Sequence, residues 1–365
     1  MMVSVEEQIR AVEDEIRTTP YNKATSHHIG RLKAKLARLR EQRQKMASGR
    51  GGGEGYGIKK SGHATVVLMG YPSVGKSTLL NALTDAKSEV GEYEFTTLSV
   101  VPGVMELKGA KVQVLDVPGI ISGAAFGRGR VREVLSVIRV ADLIVMLVDP
   151  FDVHQLSVLE HELYEVGIRL NARRPDVHIK MKPRGGVSIS TTLPISLDEE
   201  TIRAVLAEYR VHNAHVLIRE DITVDELIDV LSGSCTYVKS IMVFNKVDMC
   251  SPEHLNALRR QFPDALFISA QKGEGIAHLK DRIYAELEFI RIFLKPQGEP
   301  PDLNEPLVVK RGATVRDVCE LLHRDFVRRF RYARVWGSSV KHAGQRVGLE
   351  HGLADGDVLT VIIGR

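Results

Sequence analysis

The chain has 365 residues, 44% of them apolar and 26% charged, the balance of an ordinary globular protein and not of a disordered or collagen-like one. Fifty basic and 46 acidic side chains leave a net charge of +4, too small by itself to name a partner class. Three cysteines, Cys235, Cys250 and Cys319, without C-x-x-C spacing, exclude a disulfide framework and a cysteine-based zinc site and fit a reducing, cytoplasmic setting.

The first ten residues, MMVSVEEQIR, carry acids where a signal peptide needs an apolar stretch, so export is not expected. Residues 5–17 read as a helix with Val5, Ile9, Val12 and Ile16 on one stripe, interrupted at Thr18-Thr19-Pro20,. A second helix over 26–47 places Ile29, Leu32, Leu36 and Leu39 at helical spacing, giving a helical hairpin,. The chain from Arg31 to Arg50 is basic: Arg31, Lys33, Lys35, Arg38, Arg40, Arg43, Lys45 and Arg50 are opposed within the run by Glu41 alone. A second basic cluster comprises Arg324, Arg328, Arg329, Arg331 and Arg334. Both allow a polyanionic partner, although on charge alone solvated helix faces are the favoured reading. Residues 49–57 (GRGGGEGYG) read as a flexible linker and a domain boundary,.

An apolar strand over 64–69 then runs into Gly70-Tyr71-Pro72-Ser73-Val74-Gly75-Lys76-Ser77, followed by Thr78 and a helix over 76–83. This is G-x-x-x-x-G-K-[ST] in its required strand–loop–helix context. Glycines let the backbone wrap a phosphate, and the helix N-terminus supplies partial positive charge. Lys76 is expected to reach the β- and γ-phosphates and the Ser77 hydroxyl to ligate Mg2+. Thr97, with Thr96 as a close second, is expected to ligate Mg2+ only when the γ-phosphate is present, as an order–disorder switch; both threonines equally fit an edge strand. Asp116-Val117-Pro118-Gly119 ends the next strand, over 112–115. Asp116 is expected to hold Mg2+ through water and the Gly119 amide to sense the γ-phosphate. Lys76, Thr97 and Gly119 are thus the residues expected to carry catalysis.

Apolar strands over 143–148, 241–244 and 266–268 continue the series, so the fold class is α/β with a mostly parallel sheet,. After the strand over 241–244 comes Asn245-Lys246-Val247-Asp248, on the rim where α/β sheets bind ligands. A carboxylate at Asp248 accepts from the N1–H and 2-amino group of guanine, a pattern adenine lacks. Ser269-Ala270-Gln271-Lys272 follows the next strand, where its backbone amides would reinforce that contact. Roughly ninety residues separate the strands ending at Val148 and beginning at Ile241, far more than one crossover needs. Within them, 177–182 and 187–190 read as a hairpin around Pro183-Arg184-Gly185-Gly186, 197–209 as a helix, 214–218 as a strand, and Thr223 with Glu226 as a capping box,. After Lys295-Pro296-Gln297-Gly298, a strand over 307–309, a helix over 315–324 capped by Thr314, and strands over 333–336 and 358–363 suggest a small ubiquitin-like sheet on one helix. His27, His28, His154, His161 and His178 lack zinc spacing and read as surface residues. Trp336 reads as an anchor of the C-terminal sheet, and Met146 and Met242 as core,.

The phosphate loop, F-T-T-L (95–98), D-x-P-G, N-K-x-D and S-A motifs, in this order, resemble those of the developmentally regulated GTP-binding proteins, a branch of the Obg-related GTPases. The likeness extends over nearly the whole chain, including Gly167–Asn171, His212-Asn213-Ala214, Lys295–Gly298 and Val335-Trp336-Gly337. It implies a helix-turn-helix over 1–49, a P-loop GTPase domain over 50–164 and 238–290, a ribosomal-S5-like α+β insert over 165–237, and a TGS domain over 291–365. It also implies GTP and GDP as ligands, Mg2+ as cofactor, a ribosome or rRNA partner, a dedicated regulatory protein in eukaryotic members, and no membrane. Three departures bear on mechanism. Ile120 stands where Ras-like enzymes carry a water-orienting glutamine, so intrinsic hydrolysis is expected to be slow. Ser73 stands where cation-activated relatives carry asparagine, which weakens a K+ activator site without removing it. Phe126 and Val131 depart from the glycine-rich stretch that retains Gly123, Gly127 and Gly129. A scaffold with incidental hydrolysis and an ATPase are the rival readings; Asp248 argues against the second.

Overall fold

The computed structural model describes residues 4–20, 22, 25–47, 62–84, 101–117 and 136–364. The chain divides into two compact units, residues 1–55 with 163–237 and residues 56–162 with 238–365.

Helices α1 (Val5–Thr18) and α2 (Ser26–Ala47) open the chain. Ser4 and Glu7 close a capping box at the start of α1, satisfying two backbone donors that the helix leaves free,. Ile9 and Val12 meet Leu32, Leu36 and Leu39 in one small core, so the two apolar stripes face each other. Three bases of the run on α2 are paired with acids from elsewhere. Lys33 pairs with Asp225 at 2.7 Å, Arg38 with Glu208 at 3.0 Å, and Arg40 with Glu13 at 2.9 Å and Glu165 at 2.6 Å.

The chain continues through β1 (Ala64–Gly70), α3 (Lys76–Leu83), β2 (Val101–Leu107), β3 (Ala110–Asp116), β4 (Leu143–Val148) and α4 (His154–Glu165). The inserted stretch contributes β5 (Ile168–Leu170), β6 (Val177–Met181), β7 (Val187–Thr191), α5 (Glu199–Glu208), β8 (Ala214–Ile218) and α6 (Val224–Ser232). The chain returns as β9 (Thr236–Phe244), α7 (Pro252–Gln261), β10 (Leu266–Phe267) and α8 (Ile276–Glu286). It ends with β11 (Phe289–Leu294), β12 (Leu307–Lys310), α9 (Val315–Leu322), α10 (Arg324–Arg329), β13 (Phe330–Trp336), β14 (Gln345–Val347) and β15 (Val358–Ile363).

The main sheet has the order β10-β9-β4-β1-β3-β2. Along this order β2 runs antiparallel to β3, joined to it by a tight turn in which Lys108 and Gly109 both adopt positive φ, the geometry of a two-residue hairpin. β1 and β4 are buried along their full length, as expected of parallel strands covered on both faces. Because β1, β3, β4, β9 and β10 run parallel, their C-terminal ends lie on one rim. The phosphate loop, Asp116, Asp149, Asn245 and Ser269 all follow from that rim.

The C-terminal sheet has the order β12-β11-β15-β13-β14. Strand β11 serves two cores through its period-two alternation. Phe289 joins the core of the main sheet, and Ile290 and Ile292 join the core under the C-terminal sheet, with Val318 and Cys319 of α9. Trp336 is half-buried in that sheet, packed against Gly344, with the Lys295 ammonium 5.6 Å from its ring. Met146 is core, whereas Met242 is only half-buried.

The inserted sheet corrects one expectation. Strands β6 and β7 do not form a hairpin: β8 lies between them, antiparallel to β6 and parallel to β7. The 183–186 loop wraps around Asn213, which accepts from the Lys182 amide through its backbone and from the Gly186 amide through its side chain. Gly185 and Gly186 hold the left-handed φ values this detour requires,. The space so opened takes β8, whose Ala214, Val216 and Ile218 are buried against α5 and α6.

Candidate functional site

At the end of β1, Gly70 has φ +153, and a Cβ there would lie 2.5 Å from the Leu147 carbonyl oxygen. Gly75, at φ +95, would place a Cβ 2.4 Å from Asn245 Nδ2. No side chain fits either position, which is why the loop needs glycine at both. Between them Val74 turns into the core, while Pro72 and Ser73 face solvent, Ser73 in the left-handed region at φ 63. Helix α3 begins directly at Lys76, so its first-turn amides are directed at the rim,. Lys76 Nζ donates to the carbonyls of Gly70 and Tyr71, both at 3.1 Å. Burial lowers the pKa of this ammonium, and the nearby Asp116 carboxylate works in the opposite direction,. Ser77 Oγ donates to Asp116 Oδ2 at 2.6 Å. A hydroxyl and a carboxylate side by side at a helix N-terminus form a hard-oxygen pair, a donor set that suits Mg2+.

At the other end of the rim, Asn245 is buried and knots three loops together. Its Nδ2 donates to the Val74 carbonyl at 2.8 Å, and its Oδ1 accepts from the Ala270 amide at 2.9 Å. Lys246 adopts a left-handed φ of 63, and its ammonium reaches Asp149 Oδ2 at 3.1 Å. Asp149 Oδ1 accepts from the Phe151 amide at 3.0 Å, which fixes the carboxylate. A hydrogen bond from the Ser269 hydroxyl, with help from the Lys272 ammonium 3.8 Å away, holds the Asp248 carboxyl below the ordinary carboxylate range. Ser269 is buried, Ala270 nearly so, and Gln271 and Thr78 are exposed.

The fold thus gathers Gly70, Tyr71, Ser73, Val74, Gly75, Lys76, Ser77, Asp116, Asn245, Lys246, Asp248, Ser269 and Ala270 on one rim. Thr96, Thr97, Gly119, Ile120, Phe126 and Val131 lie outside the described residues. Asp149 was not among the residues expected here, and Lys272 was expected only through its backbone amide. Asp149 had a signal in its position, at the end of a buried apolar strand on the ligand-bearing rim. Among the described residues no three His, Cys, Asp or Glu side chains gather to hold a metal, and no helix is long and apolar enough to cross a membrane.

A strand, glycine loop and helix that form a phosphate cradle, with an N-K-x-D loop tied to it, define a P-loop GTP-binding domain, here followed by a second small sheet. Residues 65–181 match the family described as 50S ribosome-binding GTPase, residues 184–289 the C-terminal region of the MMR_HSR1 domain, and residues 290–363 the TGS domain. A GTP-binding protein of Methanocaldococcus jannaschii is 58% identical over 369 residues, spanning 100% of this chain and 94% of the relative. Ribosome-interacting GTPase 1 of Saccharomyces cerevisiae is 47% identical over 99% of this chain and 100% of its own length. The developmentally-regulated GTP-binding protein 2 homolog of Dictyostelium discoideum is 44% identical over 98% of each. The chain belongs to the family of developmentally regulated GTP-binding proteins.

Proposed function

We propose that this protein binds GTP with Mg2+ along the described rim, hydrolyses it slowly to GDP and phosphate, and works as a ribosome-associated translation GTPase. The observation that carries the nucleotide reading is the Asn245 knot, which sets the phosphate loop and the base-recognition loop at a fixed separation. In this reading residues 1–49 are a helix-turn-helix, 50–164 with 238–290 the GTPase domain, 165–237 an S5-like insert and 291–365 the TGS domain.

Each residue has a definite task. The amides of Gly75, Lys76 and Ser77 at the start of α3 face the phosphates. Lys76, already positioned by two carbonyls, turns its ammonium to the β- and γ-phosphates. Ser77, with Asp116 through water and Thr97 in the triphosphate state, would hold Mg2+, which supplies charge neutralisation at the phosphates when bound. Asp248 accepts from guanine, and Ser269 and Ala270 line the same end. Gly119 senses the γ-phosphate. With Ile120 in place of a water-orienting side chain, positioning limits the rate, and K+ near Ser73 or the ribosome raises it. The relative from Saccharomyces cerevisiae that bears the name ribosome-interacting GTPase 1 supports the ribosomal role. A dedicated regulatory protein is the further partner this reading includes.

Ile120 favours a second reading, a nucleotide-dependent scaffold whose hydrolysis is incidental. Hydrolysis by purified protein, with and without K+ and with and without ribosomes, tests the first. Turnover should be slow in Na+ alone and rise with K+ or ribosomes; fast turnover without either would refute it. Co-sedimentation with ribosomes in GTP, GDP and a non-hydrolysable analogue separates the two. Release that does not require hydrolysis would favour the scaffold.

A further inference from the structure

We infer that the solvent face of the inserted sheet β6-β8-β7 is a binding surface for duplex RNA. The inference deepens the ribosomal reading and rests on it only for which RNA is met.

One face of this sheet packs Val177, Val216 and Ile218 against α5 and α6. The opposite face follows from strand alternation and register. Lys180 lies across from His215 and His215 across from Ser188, while His178 lies across from Leu217 and Leu217 across from Ser190. Lys182 extends the row beyond the end of β6, Arg184 follows it in the 183–186 loop, and His178, Lys180, Lys182, Arg184 and Ser190 are all exposed. Among the described residues, none of Lys180, Lys182 and Arg184 is in an ion pair. The carboxylates of this sheet, Asp176 and Glu220, sit at the far end and are engaged there by His178, Arg219 and Arg173.

Lys182 Nζ donates to Ser188 Oγ at 2.9 Å, and Ser188 Oγ lies 3.0 Å from His215 Nδ1. This chain of contacts fixes the side chains across the face without neutralising the lysine. Lys180 and Lys182 are two strand residues apart, about 6.6 Å, comparable to the spacing of successive phosphates on one strand. Beyond them Gly185 and Gly186 have nothing within 4 Å of a would-be side chain, so the backbone there is open to close approach.

The occupant follows from the chemistry. Cations without acids call for a polyanion. The face carries no Phe, Tyr or Trp, and its two histidines are held in contacts, His178 with Asp176 and His215 with Ser188, so it offers no free platform for stacking unpaired bases. Cations together with serine hydroxyls match the phosphates and 2′-hydroxyls of an A-form duplex, which is recognised by shape and not by sequence.

The test uses the full chain and a fluorescein-labelled 20-base-pair RNA duplex, with a single strand of the same length as comparison. Anisotropy titrations are run at 50–200 mM salt on the wild type, on K180Q/K182Q/R184Q, and on R31Q/K35Q/R43Q in α2. Three phosphate contacts contribute about 2 to 2.7 to the salt slope. The wild type's advantage over the sheet variant should therefore shrink about 20- to 40-fold between 50 and 200 mM. The duplex should be preferred over the single strand, and GDP affinity should be unchanged. An unaltered slope in the sheet variant, loss of binding only in the α2 variant, or preference for the single strand would overturn the inference. Ribosome sedimentation of the same proteins keeps the two proposals apart. A wild type that ignores ribosomes while the sheet variant alone loses duplex RNA would refute the ribosomal role and support the surface.

Discussion

Asn245→Ala probes the junction on which nucleotide binding depends. Asn245 is 3% exposed, so water cannot replace what the substitution removes. It leaves the Val74 carbonyl and the Ala270 amide without their partners. A buried polar group stripped of its partner costs about 1–3 kcal/mol, so the loss should be about 2–6 kcal/mol, a large share of a typical domain's total stability. The effect on binding should be separate and additional, because the loop that cradles phosphate and the loop that reads the base are no longer held together. Asn245→Asp keeps an acceptor for Ala270 but sets a carboxylate against the Val74 carbonyl, and should also lose affinity. Urea unfolding followed by circular dichroism, with and without GDP, measures the first effect, and anisotropy of a fluorescent GDP measures the second. An Asn245→Ala protein that loses under about 1 kcal/mol and binds GDP as the wild type does would show that the knot couples nothing.

Asp248→Asn replaces a charged acceptor worth about 1.5–3 kcal/mol, so GTP affinity should fall roughly 10- to 150-fold; unchanged affinity would end the guanine assignment. The Asp248 carboxyl is held below its ordinary 3.8 by Ser269, so its contribution is complete above that value and is lost only as pH falls through the lowered one. GTP affinity should accordingly show no carboxylate titration between pH 8 and 5, as an isothermal titration series would reveal. Gly30 of α2 lies so close to α5 that a Cβ would stand 2.8 Å from Thr201 Cγ2. Gly30→Ala should cost about 1–3 kcal/mol, and adding Thr201→Ser, which removes that methyl, should restore most of it; a loss that Thr201→Ser does not relieve would locate the strain elsewhere. Arg169 grips Asp229 through two hydrogen bonds of 2.6 and 2.7 Å, and the two side chains are 13% and 6% exposed. Arg169→Met should cost about 3–5 kcal/mol by stranding a buried carboxylate, whereas Arg169→Met/Asp229→Leu should cost less. Additive losses in thermal melts would refute that.

Local pattern was enough wherever one stretch of chain determined its own structure. The glycine loop, helix α3, strands β4, β8 and β15 and the capping boxes at Thr223 and Thr314 lie where composition and period place them. Pattern was insufficient where pairing was decided at a distance. The sequence Pro183-Arg184-Gly185-Gly186 reads as a turn and is one, but a turn does not say what lies between the strands it joins. The third strand arrives more than twenty residues later, and its buried face is what makes it central. Asp149 escaped notice for a similar reason: its partner, Lys246, is brought to it only when β4 and β9 pair.

Charge shows the same distinction between chain and space. Counted along the chain, α2 is the obvious polyanion-binding element, with a single acid inside its basic run. In the fold, Glu13, Glu165, Glu208 and Asp225 come from four separate places to meet three of those bases, so part of the run's charge serves to hold the helix in its own unit. Lys180, Lys182 and Arg184 draw no attention in the sequence, because apolar or neutral residues alternate with them. Strand geometry turns Met181 to the other face and leaves Lys180 and Lys182 together, with Arg184 in the loop just beyond and, among the described residues, no ion pair to any of the three. Local charge density thus sets α2 far above the sheet, whereas the structure pairs three of the bases of α2 with acids and, among the described residues, none of the three cations of the sheet. For a ligand whose affinity is set by unneutralised phosphate contacts, density along the chain is therefore not the measure that governs. If the sheet is the duplex-binding surface, replacing Arg31, Lys35 and Arg43 should change the salt slope less than replacing the three cations of the sheet, even though α2 carries the denser run.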